Sequence, residues 1–496
     1  MDTTHKIVIV DLNPIRAAIL EDGLREAGYS DVIRIHEMQS LLTRIYAIDP
    51  DVILIDLENP SRDVLEQMFQ VSRAVKRPIA MFVDQSDAAS IEAAVDAGVS
   101  AYIVGSMQKE RIKSIPLCDA TSLLIAVDKG FAAAEGLDIE LVREVSWANV
   151  RDKLNIGIFD SAHLIAPVAI ASSLGLGHVK VPIVAAFGLG VNGNAITVSP
   201  ALHAAITANA EGDTTAPMVT AKALAKVVAQ RKTKGLPPLT FGMTFPFSTH
   251  NYHLRFWMAA GGVDPDEDVR LVVLPPPYMV ESLANKHVDA FCVGAPWNSV
   301  AVDAGIGFIL HFVSDILSRA AEKVLATRSR WAQENPETLA KLIRAHAKAA
   351  EFIEKPENRE EVANLLAPAN RIGVSAEVIR RTLDGKLKVS PDGATRTSDH
   401  YLLFGREGAG RPDPVQAAWL YAQMVRWGQA RLSEDMRAAA IAVFRADLYD
   451  AAIGTPPARP SSTPPDGIGA FTGPAFNPRD IASHLAAWRI GRVATD

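Results

Sequence analysis

Residues 101–122, AYIVGSMQKERIKSIPLCDATS, decide how this chain is divided. AYIV at 101–104 is a short apolar run of the kind that closes a parallel sheet, whereas RIKSIP from Arg111 alternates polar and apolar residues as a new strand does. Ile112 and Ile115 stand three apart, as on a helix face, so the ten residues SMQKERIKSI carry both patterns and can satisfy only one. The larger sheet downstream is expected to win, giving a short helix over 107–111 and a strand over about 111–116. Three segments follow: 1–110, 111–453 and 454–496.

The 496 residues, 48% hydrophobic and 22% charged, are long enough for two or three domains with their own cores. A formal charge of −7 and the lack of any Lys/Arg block argue against direct nucleic-acid binding. Cys118 and Cys292 are too few for a disulfide framework and have no zinc-ligand spacing. No apolar run reaches membrane-spanning length, and MDTTHKIVIVDLN lacks the pattern of a secretory leader, so the expected location is the cytoplasm with no membrane partner.

Before the seam, apolar runs KIVIVD, DVIRIH, DVILIDLE, PIAMFV and AYIV alternate with helical patterns such as PIRAAILEDGLREAGY. That alternation predicts a flavodoxin-like α/β domain with a parallel sheet, whose strand ends carry Asp11, Asp56 and, beyond Val83, Asp84. VILIDLENP and IVIVD resemble the response-regulator receiver family, with Asp56 at the phosphoacceptor position. The resemblance implies a second acid after strand one, a hydroxyl on strand four and a lysine on strand five; this chain has Leu12, Val83 and Gly105 there. Without those oxygen and cationic partners, phosphorylation of Asp56 is not expected. ENPSRDV, RPIAMF and AGVSAYIV resemble more narrowly the receiver of the NasT antiterminators, whose RNA-binding module does not follow here.

After the seam, LLIAVDKGFAAAEGLDIELV reads as two short helices closed by Gly130 and Gly136 and then a strand. VPIVAAFGLG, AITVSP, LTFGMTF, VRLVVLPPP and VDAFCVGAPW continue the α/β texture, and 315–453 reads as mostly helical. The expected architecture is a two-lobed, periplasmic-binding-protein-like (type II) α/β receptor with a hinged cleft. AAEGLDIEL, SWANVRDKLNIG, DSAHLIAPV, NGNAITVS, PPPYMVESLANKHVDAFCVGAPWN and FRADLYDAAIG resemble the nitrate- and bicarbonate-binding proteins of the NrtA and CmpA type, and more closely the NasS nitrate/nitrite sensors that partner NasT.

That resemblance implies a non-enzymatic nitrate or nitrite site formed by Trp147, Asn192, Gly193, His250 and Lys323, without cofactor or metal; the alternatives are a transporter's nitrate or bicarbonate binding protein and an enzyme of the same fold, similar to those of thiamine-precursor synthesis. Trp147 supplies a flat wall and an indole N–H, Asn192 an amide, Gly193 a backbone N–H, His250 a ring N–H and Lys323 the charge. His163 and Asn192 stand where the transporters' binding proteins often carry Gln. By composition alone, Trp147 reads as core and Lys323 as a solvated lysine of a helical, Ala-rich stretch. His250 and His253 invite a metal reading, but no carboxylate or Cys lies at ligand spacing in the sequence.

LPPPYMV at 274–280 is expected to be an extended crossing at the cleft, and GTPPARPSSTPPDG at 454–467 a linker to a last helix that needs a docking surface. The implied partner is a NasT-type receiver, held in cis or exchanged between two chains as a homodimer.

Overall fold

The structure, a computed structural model, describes residues 109–144, 146–177, 179–454 and 463–493 and, towards the N-terminus, 5–11, 29–37, 40–57, 77–83 and 101–104 with a few positions between. The chain separates into two compact units, Met1–Lys109 and Glu110–Asp496.

In the first unit, strands Ile7–Asp11, Val32–Ile35, Val52–Leu57, Ile79–Val83 and Ala101–Val104 form one sheet in the order 2-1-3-4-5, and all four pairings are parallel. Both faces of the first strand are buried: Val8 and Val10 pack with Ile35, Ile45, Ile53 and Ile55, while Ile7 and Ile9 pack with Ala17 and Val32. A strand covered on both sides has no reason to alternate, and IVIV does not. Asp11 and Asp56 are register neighbours at the carboxyl ends of adjacent strands, and Asp11 is buried. Leu12, Asp84, Gly105 and the side chains of Asp56 and Val83 lie outside the described residues.

Besides the two-stranded pair Lys386–Lys388 and Thr395–Thr397, the second unit has two larger sheets among its described residues. One runs Leu402–Leu403, Ile183–Asn192, Ala321–Arg328, Ser161–Ile165, Lys109–Ser114, Asp138–Arg143; the other runs Arg270–Val273, Thr240–Met243, Ala290–Gly294, Asn194–Val198, Phe308–Phe312. The chain passes between them twice, at Gly193 and through residues 313–320, which is the construction of two lobes on a double hinge. The crossings are tied together: the Asn192 amide N–H donates to Ala320 O and the Ala320 N–H to Asn192 Oδ1, each at 2.9 Å. Asn192 and Gly193 sit at φ of +63° and +91°, so the first crossing turns in left-handed backbone that glycine adopts freely and asparagine tolerates.

Three expectations are corrected. Residues 109–114 are strand, with Ile112 opposite Ser161, so 109–111 are not helical; 107 and 108 lie outside the described residues. Residues 321–328 are a central strand rather than helix, because they lie between two others that leave the run VLAT no solvent face. Residues 276–278 are a 3-10 turn leading into helix Met279–Ala284, not a crossing between lobes: Pro275 is extended, and the prolines after it start a helix, where their missing N–H is no loss.

The tail docks across the lobes. Ile468 and Gly469 accept from the backbone of Arg319 and Ser318 in the second crossing. Trp488 packs edge-on against Phe256 of one lobe and lies 4.3 Å from the Arg426 guanidinium of the other. Arg492 donates its backbone N–H to Arg426 O and its guanidinium to both oxygens of Asp264, at 2.7 Å each.

Candidate functional site between the lobes

A buried cluster of charge lies where the lobes meet. Asp119 comes from the 3-10 turn Cys118–Ala120 after the strand Lys109–Ser114, and Trp147 opens helix Trp147–Asn155. His163 lies in strand Ser161–Ile165, and Glu322 and Lys323 in strand Ala321–Arg328. From the other lobe, Asn194 begins strand Asn194–Val198, and Thr249, His250 and His253 lie on helix Thr249–Ala260, capped by Ser248. All of these side chains are buried.

Consecutive strand residues point to opposite faces, yet Glu322 and Lys323 meet at 2.6 Å. The register of their strand slips on both sides of Lys323, and such an irregularity turns a side chain out of alternation. Lys323 Nζ is also 2.9 Å from Asp119 Oδ2 and 5.2 Å from the centre of the Trp147 ring. His163 Nε2 lies 2.9 Å from Asp119 Oδ1, and its Nδ1 accepts from the Ile115 N–H at 3.4 Å. Glu322 joins the lobes: Asn194 Nδ2 donates to its Oε2 at 2.7 Å, the Thr249 hydroxyl donates to the same oxygen, and His250 Nε2 stands 3.4 Å from Oε1.

Burial alone would push the Asp119 and Glu322 carboxyls up, but the Lys323 ammonium and the neighbouring histidines outweigh it and hold both below the usual carboxylate range. Burial likewise works against the Lys323 ammonium, and the two carboxylates raise it above the ordinary lysine value. Burial holds the three imidazoles neutral, with His250 at about 4, His253 at about 3 and His163 below its ordinary value. At neutral pH the cluster carries two carboxylates and one ammonium, a net charge of −1.

The Trp147 indole N–H, Asn194 Oδ1 and both ring nitrogens of His253 are buried without a hydrogen-bond partner among the described residues. Buried polar groups are normally satisfied, so this concentration of orphans beside Lys323 marks a place for a small polar ligand. Among the described residues no group of three or more His, Cys, Asp and Glu is placed to hold a metal ion.

Trp147, His250 and Lys323 come together here. Asn192 and Gly193 are employed otherwise: Asn192 Nδ2 donates to Ser318 O and His400 O, its Oδ1 accepts from Ala320, and the Gly193 N–H donates to Tyr401 O. The amide that reaches the cluster is Asn194, two residues on. Asp119, Glu322, Asn194 and His253 complete the cluster without having been singled out from the sequence for it. The GNA of NGNAITVS and the Glu beside Lys323 were the available signals, but neither reveals a slipped strand.

A buried polar site between two hinged α/β lobes defines a two-lobed ligand-binding protein. The chain matches the NMT1-like family over residues 108–367 and belongs to it. It is 30% identical over 394 residues to the nitrate/nitrite binding protein NrtA of Nostoc sp. PCC 7120, covering 78% of this chain and 86% of that protein. It is 30% identical over 385 residues to the bicarbonate transport ATP-binding protein CmpC of Synechococcus elongatus, spanning 54% of that longer protein. The crystal structure of the periplasmic nitrate-binding protein NrtA from Synechocystis PCC 6803 superposes with a TM-score of 0.70 at 27% identity, over 77% of this chain and 99% of that one.

Proposed function

We propose that this chain binds nitrate or nitrite between its lobes and acts as a cytoplasmic sensor rather than an enzyme, with the N-terminal unit serving as a receiver-like regulatory partner of the NasT type. The observation that carries the reading is the Trp147–Lys323 face: an indole N–H without a hydrogen-bond partner among the described residues and an ammonium, both buried, beside a flat aromatic wall. A planar monoanion loses its hydration on entry and is compensated by such donors. The likeness to NrtA supports the same ligand class.

Sensing follows from closure. Because Glu322 joins the lobes through Asn194 and Thr249, and the site is sealed in this arrangement, a ligand must enter an opened form and favour the closed one. The parallel 2-1-3-4-5 sheet of the first unit supports a receiver-type partner that responds to the difference, in cis or by exchange between two chains.

A second reading, bicarbonate, is favoured by the acceptors in the cluster. Two carboxylates and Asn194 Oδ1 suit a ligand that carries an O–H, which nitrate does not. Calorimetric titration and thermal shift with nitrate, nitrite, bicarbonate and sulfate decide between them. Saturable stabilisation by nitrate or nitrite is expected, and stabilisation by bicarbonate alone would overturn the first reading.

A further inference from the structure

Resting on the nitrate reading, we infer that the anion enters this site together with a proton, taken from solvent onto His250. The argument begins with charge. Asp119, Glu322 and Lys323 sum to −1 in a buried cluster, and a nitrate would make it −2 with no further cation among the described groups that face it. Buried like charges of that kind are relieved by taking up a proton rather than tolerated.

Three imidazoles are near enough to receive it, and the groups standing at their ring nitrogens separate them. His163 has Nε2 turned to Asp119 and Nδ1 turned to the Ile115 N–H, so its single proton sits on Nε2. A second proton on Nδ1 would set two donors face to face, and a backbone N–H cannot turn away. His253 has no acceptor at either nitrogen among the described residues, so an imidazolium there would gain an unmet donor. His250 is different. Its Nε2 faces the Glu322 carboxylate at 3.4 Å and its Nδ1 the Thr244 hydroxyl at 2.9 Å. That hydroxyl can donate to the neutral ring and, after rotation, accept from the charged one.

The groups that face His250 are Glu322 and Lys323 on strand Ala321–Arg328, Asp119 on the 3-10 turn, Thr244 at the end of strand Thr240–Met243, and His253 on its own helix. The Cys292 thiol, close to Glu322 and Lys323, is kept protonated by burial and adds no charge. In the free protein the ring is neutral at pH 7, with its pKa depressed by burial to about 4. The anion raises the ring's proton affinity, so binding and protonation are linked. His250 thus sets which anions bind well: those that leave room for a proton on the protein or bring one themselves.

The test is calorimetry of nitrate binding at pH 7 in buffers of different ionisation enthalpy, which reads protons taken up per anion. About one proton per nitrate is expected, with affinity falling about tenfold per unit of rising pH between the free and bound pKa of the ring. In His250→Gln, nitrate at higher concentration should bind with no proton uptake and little dependence on pH. Wild-type binding without uptake overturns the proposal and leaves the nitrate reading standing. Uptake that persists in His250→Gln moves the proton to a carboxylate or another histidine and overturns it too. No nitrate binding from pH 5.5 to 8 removes both readings. The wild-type measurement needs no variant to fold.

Discussion

Lys323→Met keeps most of the apolar stem of the side chain and removes the ammonium, with its charge and its N–H donors. In the wild type the ammonium lies 2.9 Å from Asp119 and 2.6 Å from Glu322, and all three groups are buried. Taking away one partner of a buried ionic group leaves uncompensated charge and costs about 3–5 kcal/mol. The two carboxylates then respond: with the ammonium gone, burial outweighs the neutral partners that remain and their pKa rises above the unfolded value, so their contribution favours the fold at low pH and is lost as pH rises. The stability gap between variant and wild type should therefore narrow from pH 7.5 to pH 5. Nitrate loses a charge-assisted contact of about 1.5–3 kcal/mol, a fall in affinity of about ten- to a hundredfold. The double variant Glu322→Gln/Lys323→Met removes one orphaned charge and should recover part of the stability but none of the affinity. Denaturant unfolding and calorimetric titration read both effects. A folded Lys323→Met protein with unchanged nitrate affinity would take Lys323 out of the site.

Asn192→Ala should cost about 3 kcal/mol or more, since it leaves Ala320 N–H, Ser318 O and His400 O without their partner and places alanine at φ +63°. If stability holds while nitrate affinity collapses in urea-calibrated, folded protein, Asn192 touches the ligand instead of clasping the hinge. Trp488→Ala should destabilise by about 2–4 kcal/mol through lost packing on Phe256 and Arg426, and hydrogen exchange should rise around Ile316–Ala320; unaltered exchange there would separate the tail from the hinge. Acid should weaken the ligand-free protein. His250, His253 and His346 are held by burial at about 4, 3 and 4, against 6.5 unfolded. The unfolded chain therefore binds more protons and stability falls with pH below about 6.5, each group withholding about 2 kcal/mol at pH 5. A flat stability profile between pH 8 and pH 5 would show these imidazoles to be solvated.

Strand periodicity carried much of the fold. The uninterrupted runs IVIV and VILI reported a sheet buried on both faces, and the ordered strand set of the first unit has that form. The site was only partly legible. Trp147, His250 and Lys323 stand on phrases that resemble other anion-binding proteins, and the structure places these three side chains in one buried cluster. Asn194 could not be told from Asn192, because the choice depends on a hinge that turns through two left-handed residues and directs the first amide to the backbone. Glu322 is adjacent in sequence to a residue it should face away from, and only a slip in strand register brings the two side chains together.

Local sequence thus determined which segments become strand or helix and where apolar faces lie, because those depend on periodicity and on backbone chemistry within a few residues. At the seam, where both patterns fit 109–111, local preference was not decisive: the segment is the start of a strand whose Ile112 and Lys113 pair with Ser161 and Ala162. Tertiary structure alone decided the charge of the site. Asp119, His163, Asn194, His250 and Glu322 are separated by long stretches of chain, and their protonation depends on shared burial and on distances of a few ångströms. Those Coulomb and desolvation terms exist only once the two lobes have brought the groups together.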